Sequence, residues 1–171
     1  MNTFIGLLFF FGLQSNAAFA ANENGAPDLP NNLQCLDQQH QAMNYNNNQV
    51  LQWEKSTSDQ YLSRGLVQGK ITQVYPNKNG HTHFALNLGA GGIEIIYNDE
   101  FGELPALQVG MTVSACGDYI TVGPNARLPS PMPAILHWVH YNPGDRDGGR
   151  HPSGFLVIEG KAYGKPSSTR N

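Results

Sequence analysis

Charge is scarce in this sequence and unevenly placed: none of the first twenty residues carries an ionisable side chain. Over the whole chain only 13% of residues are charged and the net charge is −3. That balance excludes a protein that holds nucleic acid through bulk phosphate attraction. The local basic spots, Arg127, Arg146 and Arg150, are too few to change it. Long apolar runs are lacking too. Ile5 to Leu13 is too short to span a bilayer as a helix, and Ala18, Phe19 and Ala20 follow it with a small-x-small pattern. Residues 1–20 therefore read as an export signal cleaved before Ala21, with the α-amino group replacing the missing Lys or Arg of the n-region. No cysteine follows the apolar run, so neither a lipoprotein anchor nor a stable membrane anchor is expected. Nucleophile elbows, internal repeats and phosphate-binding glycine loops are absent as well. Gly89 to Gly92 leads from one strand pattern into another, not into a helix.

The two cysteines, Cys35 and Cys116, are expected to form one disulfide in an oxidising compartment. The bridge would close a long loop, stabilise the fold by about 4 kcal/mol and tether the N-terminal segment. With the export signal, it points to a periplasmic or secreted protein.

Residues 21–32, rich in Asn, Pro and Gly, read as a flexible leader. Leu33, Leu36, His40 and Met43 fall at helical intervals behind Asn31 or Asn32 as N-cap, and Tyr45 to Asn48 breaks that helix. Val50 to Leu62 reads as a second short helix anchored by Trp53 and Tyr61, giving an N-terminal helical segment over 33–63. From residue 64 the period becomes two. Strands are expected at Leu66 to Tyr75, His81 to Leu88, Ile93 to Tyr97, Met111 to Val122 and Ala134 to Tyr141. A turn at Pro76 to Gly80 separates the first two, and Phe101 to Leu107 allows one helical turn at most. Gly117 marks a bulge or bend in the fourth strand. Phe155 to Tyr163 reads as a hairpin turning at Glu159 and Gly160, and residues 166–171 as a disordered tail. Five strands with a short helical insert between the third and fourth fit a mainly β, five-stranded Greek-key barrel of the OB type over 64–165.

Five of the six histidines, His81, His83, His137, His140 and His151, fall between residues 81 and 151. Three chemistries suit them. Imidazoles that converge could hold a divalent transition metal such as zinc, with His81, His137, His140 and His151 as ligands. His137 and His140, three residues apart, would point to opposite faces of a regular strand, so sharing an ion requires a bulge or irregular turn. One His could instead act as a metal-free base oriented by Asp118, Asp145 or Asp147. Or the histidines line a ligand groove along the barrel, with Trp138, Tyr141 and Phe155 as core or as aromatic contacts to a sugar or base.

The segments Asn79 to Phe84, Ile95 to Asn98, Val109 to Tyr119, Ile135 to Pro143 and Gly149 to Phe155 resemble a bacterial family of small exported proteins of unknown function marked by an HWTH-type motif. The resemblance spans residues 64–164. It implies an OB-like barrel and an extracytoplasmic home, and it implies no activity. Position by position, His81, Asn98, His137, Trp138, His140, Pro143, Arg150, His151 and Gly154 match the family pattern. Val139, Asn142 and Phe155 stand where the family usually has Thr, Asp and Trp, and the loop from Ile120 to Pro133 is longer. An amide at 142 cannot supply the negative charge of an Asp ligand or orienter. The expected function is therefore a binding module that grips an oligosaccharide, oligonucleotide or peptide through His81, Asn98, His137, Trp138, His140, Arg150 and His151. A metal-assisted, phosphodiesterase-like hydrolase on the same histidines and a structural cell-envelope partner protein are the alternatives.

Overall fold

The computed structural model describes residues 29–30, 33–56, 61–123, 128–145 and 151–164; the expected export signal, most of the leader and the tail lie outside them. Among the described residues one α-helix, α1 (Asn47–Ser56), precedes seven strands. They are β1 (Tyr61–Val74), β2 (His81–Asn87), β3 (Gly92–Asn98), β4 (Thr112–Thr121), β5 (Ala134–His137), β6 (Phe155–Ile158) and β7 (Lys161–Tyr163). The sheet order is β1-β2-β3-β5-β4-β6-β7, and a further β1–β4 pairing closes β1, β2, β3, β5 and β4 into a five-stranded OB-like barrel. Among the described strands only β3 and β5 pair parallel, as the Greek-key crossover requires. Phe84, Leu86, Ile93, Ile95, Val113 and Leu136 are buried together in the interior, where each large apolar side chain contributes roughly 1.5–3 kcal/mol.

Most expected elements are present with shifted ends. A 3-10 turn at Asp99–Phe101 is the helical insert, and the final hairpin turns through Glu159 and Gly160, both at positive φ. The helix expected around Leu33, Leu36, His40 and Met43 is not formed. The Asp37 carboxylate instead accepts from the backbone N–H groups of Gln39 and Gln41, His40 takes φ +58°, and the chain folds back so that Leu36 bridges Ala42. A side chain that satisfies nearby backbone donors competes with the helix for them. The apolar spacing that suggested a helix serves instead to lay Leu33, Met43 and Tyr45 over Leu66, Phe155 and Val157 on an outer face of the barrel. The second helix forms, but starts at Asn47 and ends at Ser56, burying Val50 and Leu51 and setting Trp53 5.1 Å from Tyr119. Tyr61, expected in that helix, opens β1.

Asn46 and Asn47 do more than break a helix. Their amides bond the backbone of Arg64, Leu66 and Gln68 from the side, completing the edge of β1 above its pairing with β2 at Lys70 to Val74. Cys35 and Cys116 form the expected disulfide across 81 residues. That bridge is compatible with an oxidising compartment, and among the described residues no helix is long and apolar enough to cross a membrane.

Beneath the bridge lies Arg64, 1% exposed. Its guanidinium donates to Asp118 at 2.8 Å, to the Cys116 sulfur at 3.1 Å, and to the carbonyls of Leu36 at 3.0 Å and Ser153 at 2.6 Å. One cation thus joins the N-terminal segment, β4 and the chain leading into β6.

The edge of β4 opposite β1 is shared. β5 pairs with Asp118 to Thr121 and β6 with Val113 to Cys116, so the two meet at Gly117. No bulge occurs there: Gly117 stays in register opposite Gly65, and the β1–β4 irregularity falls between Tyr61 and Arg64. Glycine is needed for closeness, since a Cβ on Gly117 would collide with the His137 carbonyl, and one on Gly154 with the carbonyls of Trp138 and Cys116. β5 therefore stops at His137, four residues short of the expected end, and Trp138 turns away at φ +51°. The chain between His137 and Gly154, which holds most of the candidate residues, leaves the sheet at one close crossing and returns at another.

Arg64→Met should destabilise the protein by about 3–5 kcal/mol, because it leaves the Asp118 charge buried without its partner. The double variant Arg64→Met, Asp118→Asn should recover most of that loss, as read from urea denaturation.

Candidate functional site

Strand alternation sorts β2, β3 and β5. Phe84, Leu86, Ile95 and Leu136 turn into the barrel, leaving His81, His83, Glu94, Ile96 and His137 on the outer face. Between this face, the β1–β2 turn and the segment before β5 lies a cleft of about 400 Å³, lined by residues that include Tyr75, Lys78, His81, His83, Glu94, Ile96, Leu128, Pro129 and His137.

The rings form a row. His83 and His81 have centroids 6.4 Å apart, His81 and His137 6.0 Å, His137 and Trp138 4.3 Å, and Trp138 and His151 5.1 Å. His140 lies off this row, stacked on Phe101 at 3.8 Å. The turn at Trp138 removes the alternation that would have separated His137 from His140.

Three imidazoles have one nitrogen committed. Because a carbonyl or carboxylate oxygen only accepts, the Nδ1–H of His81 donates to Asn79 O at 2.9 Å, that of His83 to Glu94 Oε1 at 2.7 Å, and that of His140 to Tyr141 O at 2.8 Å. In the neutral ring Nε2 is then the accepting lone pair. The Nδ1 atoms of His137 and His151 and the second carboxylate oxygen of Glu94 are buried without a hydrogen-bond partner among the described residues. Burial pushes His137 down to about 4, with further push from His81, His140, His83 and His151. Burial also lowers His140, partly opposed by its bond to Tyr141. Tyr75 is raised by burial and then by the Glu94 charge.

The other candidate residues have different employments. Asn98, opposite His81 in the β2–β3 pair, caps the 3-10 turn by accepting from Glu100 N. Asp118 is bound to Arg64. Asp145 accepts from Ser153 N and lies 3.8 Å from His40. Neither orients a histidine of the row; Glu94 does so for His83. Asn142 braces the loop by donating to the His151 carbonyl and accepting from Gly144 N. Phe155 is core. Arg150 and Asp147 lie outside the described residues. No group of three His, Cys, Asp or Glu side chains among the described residues is placed to hold a metal ion.

Glu94 is the residue that sequence reasoning missed. Its signal was a lone carboxylate inside the apolar run Gly92 to Tyr97, which demands a partner when buried. Compared with known proteins, the chain matches no protein-family model and no curated protein.

His137 gives the site a pH dependence of definite sign. Its folded-state value lies below its unfolded one, so the unfolded chain binds the extra proton first. Stability is full above pH 6.5 and falls as pH drops toward 4, by up to about 3 kcal/mol from this group. Urea titrations at stepped pH should show that slope in the native protein and lose most of it in His137→Gln.

Proposed function

We propose that the protein is an exported OB-like binding module that takes a polar ligand in the cleft between β2, β3, β5 and the β1–β2 turn. The observation that carries this reading is the Glu94–His83 pair in that cleft, with neutral His137 beside it. A buried carboxylate, oriented imidazoles and apolar walls are what a small specific site is built from: mostly apolar lining with a few convergent polar groups. OB barrels use a strand face and its flanking loops for oligosaccharides and oligonucleotides, and the net negative charge favours an oligosaccharide or peptide over an oligonucleotide. The Cys35–Cys116 bridge supports a periplasmic or secreted home, as does the uncharged N-terminal run. Membership of the HWTH-type family of exported proteins is part of the same proposal.

The hydrolase alternative would draw its metal from the same histidines, and such sites bring three or four donors around one ion. Among the described side chains no grouping of these histidines has ligand spacing, which favours binding over that chemistry.

Screening the protein on glycan and peptide arrays should yield a binder. His83→Asn, whose amide can still donate to Glu94, and His137→Ala should each weaken it by about tenfold or more while the melting temperature stays near that of the native protein. Unfolding of both variants, or undiminished binding by both, would show that the cleft is structural.

A further inference from the structure

Resting on the cleft being a binding site, we propose that its ligand carries an organic cation, an ammonium or guanidinium group on a short carbon stem. Glu94 is 3% exposed, lines the cleft, and uses only one of its oxygens, on His83. The other is buried with no partner among the described residues. A buried carboxylate with half its accepting capacity unmet is costly, and a donor arriving from the cleft would meet that need.

The neighbouring groups ask for the same chemistry. With the Nδ1–H groups of His81 and His83 committed to Asn79 O and Glu94, each ring in its neutral form offers Nε2 as an acceptor. The site is thus rich in acceptors and carries a buried negative charge. An anion would be repelled by Glu94 and, among the described residues, met by little besides Lys78 at the exposed rim. A neutral hydroxyl compound would satisfy the acceptors but leave the charge uncompensated. The cleft, at about 400 Å³, has the size of a small-molecule site rather than that of a single ion. Its Ile96, Leu128, Pro129 and Pro131 walls fit a carbon stem. A planar guanidinium can also bridge a carboxylate oxygen and an imidazole nitrogen through its forked donors.

The test uses butylguanidinium and butylammonium against butylurea, a neutral near-isostere of the first, with binding to the full chain followed by NMR shifts of the cleft amides. At least one cation should bind about tenfold or more tighter than butylurea. Glu94→Gln, whose amide oxygen can still accept from His83, should abolish that preference. Lys78→Glu, at the exposed rim, should strengthen cation binding and leave butylurea unchanged. If Glu94→Gln does not fold, Lys78→Glu decides: no change in cation affinity overturns the proposal. Equal binding of cations and urea overturns it, and so does a preference that survives in a folded Glu94→Gln. A glycan that occupies the cleft while neither cation binds also overturns it, and leaves the cleft reading standing. A protein that binds neither these probes nor anything on the arrays loses both.

Discussion

A buried guanidinium organises this molecule. Arg64 is enclosed among the N-terminal segment, β4 and the chain before β6, and its donors reach all three. Taking an arginine out of water is expensive, and the Asp118 carboxylate offsets that cost only because the surrounding carbonyls absorb the remaining donors. The arrangement is therefore all-or-none. The N-terminal segment must be in place to present Leu36 O, the disulfide must hold Cys116 against Cys35, and the loop must return to present Ser153 O. The cluster fixes the N-terminal segment and the chain before β6, which have little regular structure of their own, against β4.

The consequences reach the candidate site through Ser153. Its carbonyl is held by Arg64, its N–H by Asp145 and its hydroxyl by Asn142 N, while Asn142 grips the carbonyl of His151. The loop between β5 and β6 is thereby tied down at its far side. At its near side Gly117 and Gly154 let two backbones cross where no side chain fits. Trp138 and His151 are brought beside His137 by these anchors, not by sheet pairing. Burial then acts on the chemistry, and imidazoles this close add to it by disfavouring one another's protonation, so His137 remains neutral across the physiological range.

Much of the barrel was legible from local pattern. Alternation along His81 to Asn87 separates interior from exterior, the turn residues at Asn79–Gly80 and Glu159–Gly160 mark hairpins, and the two cysteines had each other as partner. The N-terminal segment misled, because the spacing of Leu33, Leu36, His40 and Met43 suits a helix as well as a strap whose apolar residues face a sheet. The Asp37 side chain and the tether at Cys35 decided between them. Asp118 and Asp145 were reasonable orienters by type, yet each was claimed by another partner. Gly117 was singled out as a bulge or a bend; there is no bulge, and it marks the point where β4 changes partner from β6 to β5.

The sequence by itself determined what depends on neighbours along the chain: strand periodicity, turn positions, the absence of a bulk basic surface, and the concentration of histidines around two strands and a loop. Only the tertiary structure decided which of those histidines face one another and what each nitrogen does. It paired His83 with Glu94, a residue eleven positions away on the next strand. It also turned the chain at Trp138 so that His137 and His151 flank one indole. The reason is physical: hydrogen-bond commitments and burial are set by distances across strands and loops, and those follow from barrel closure rather than from the order of residues.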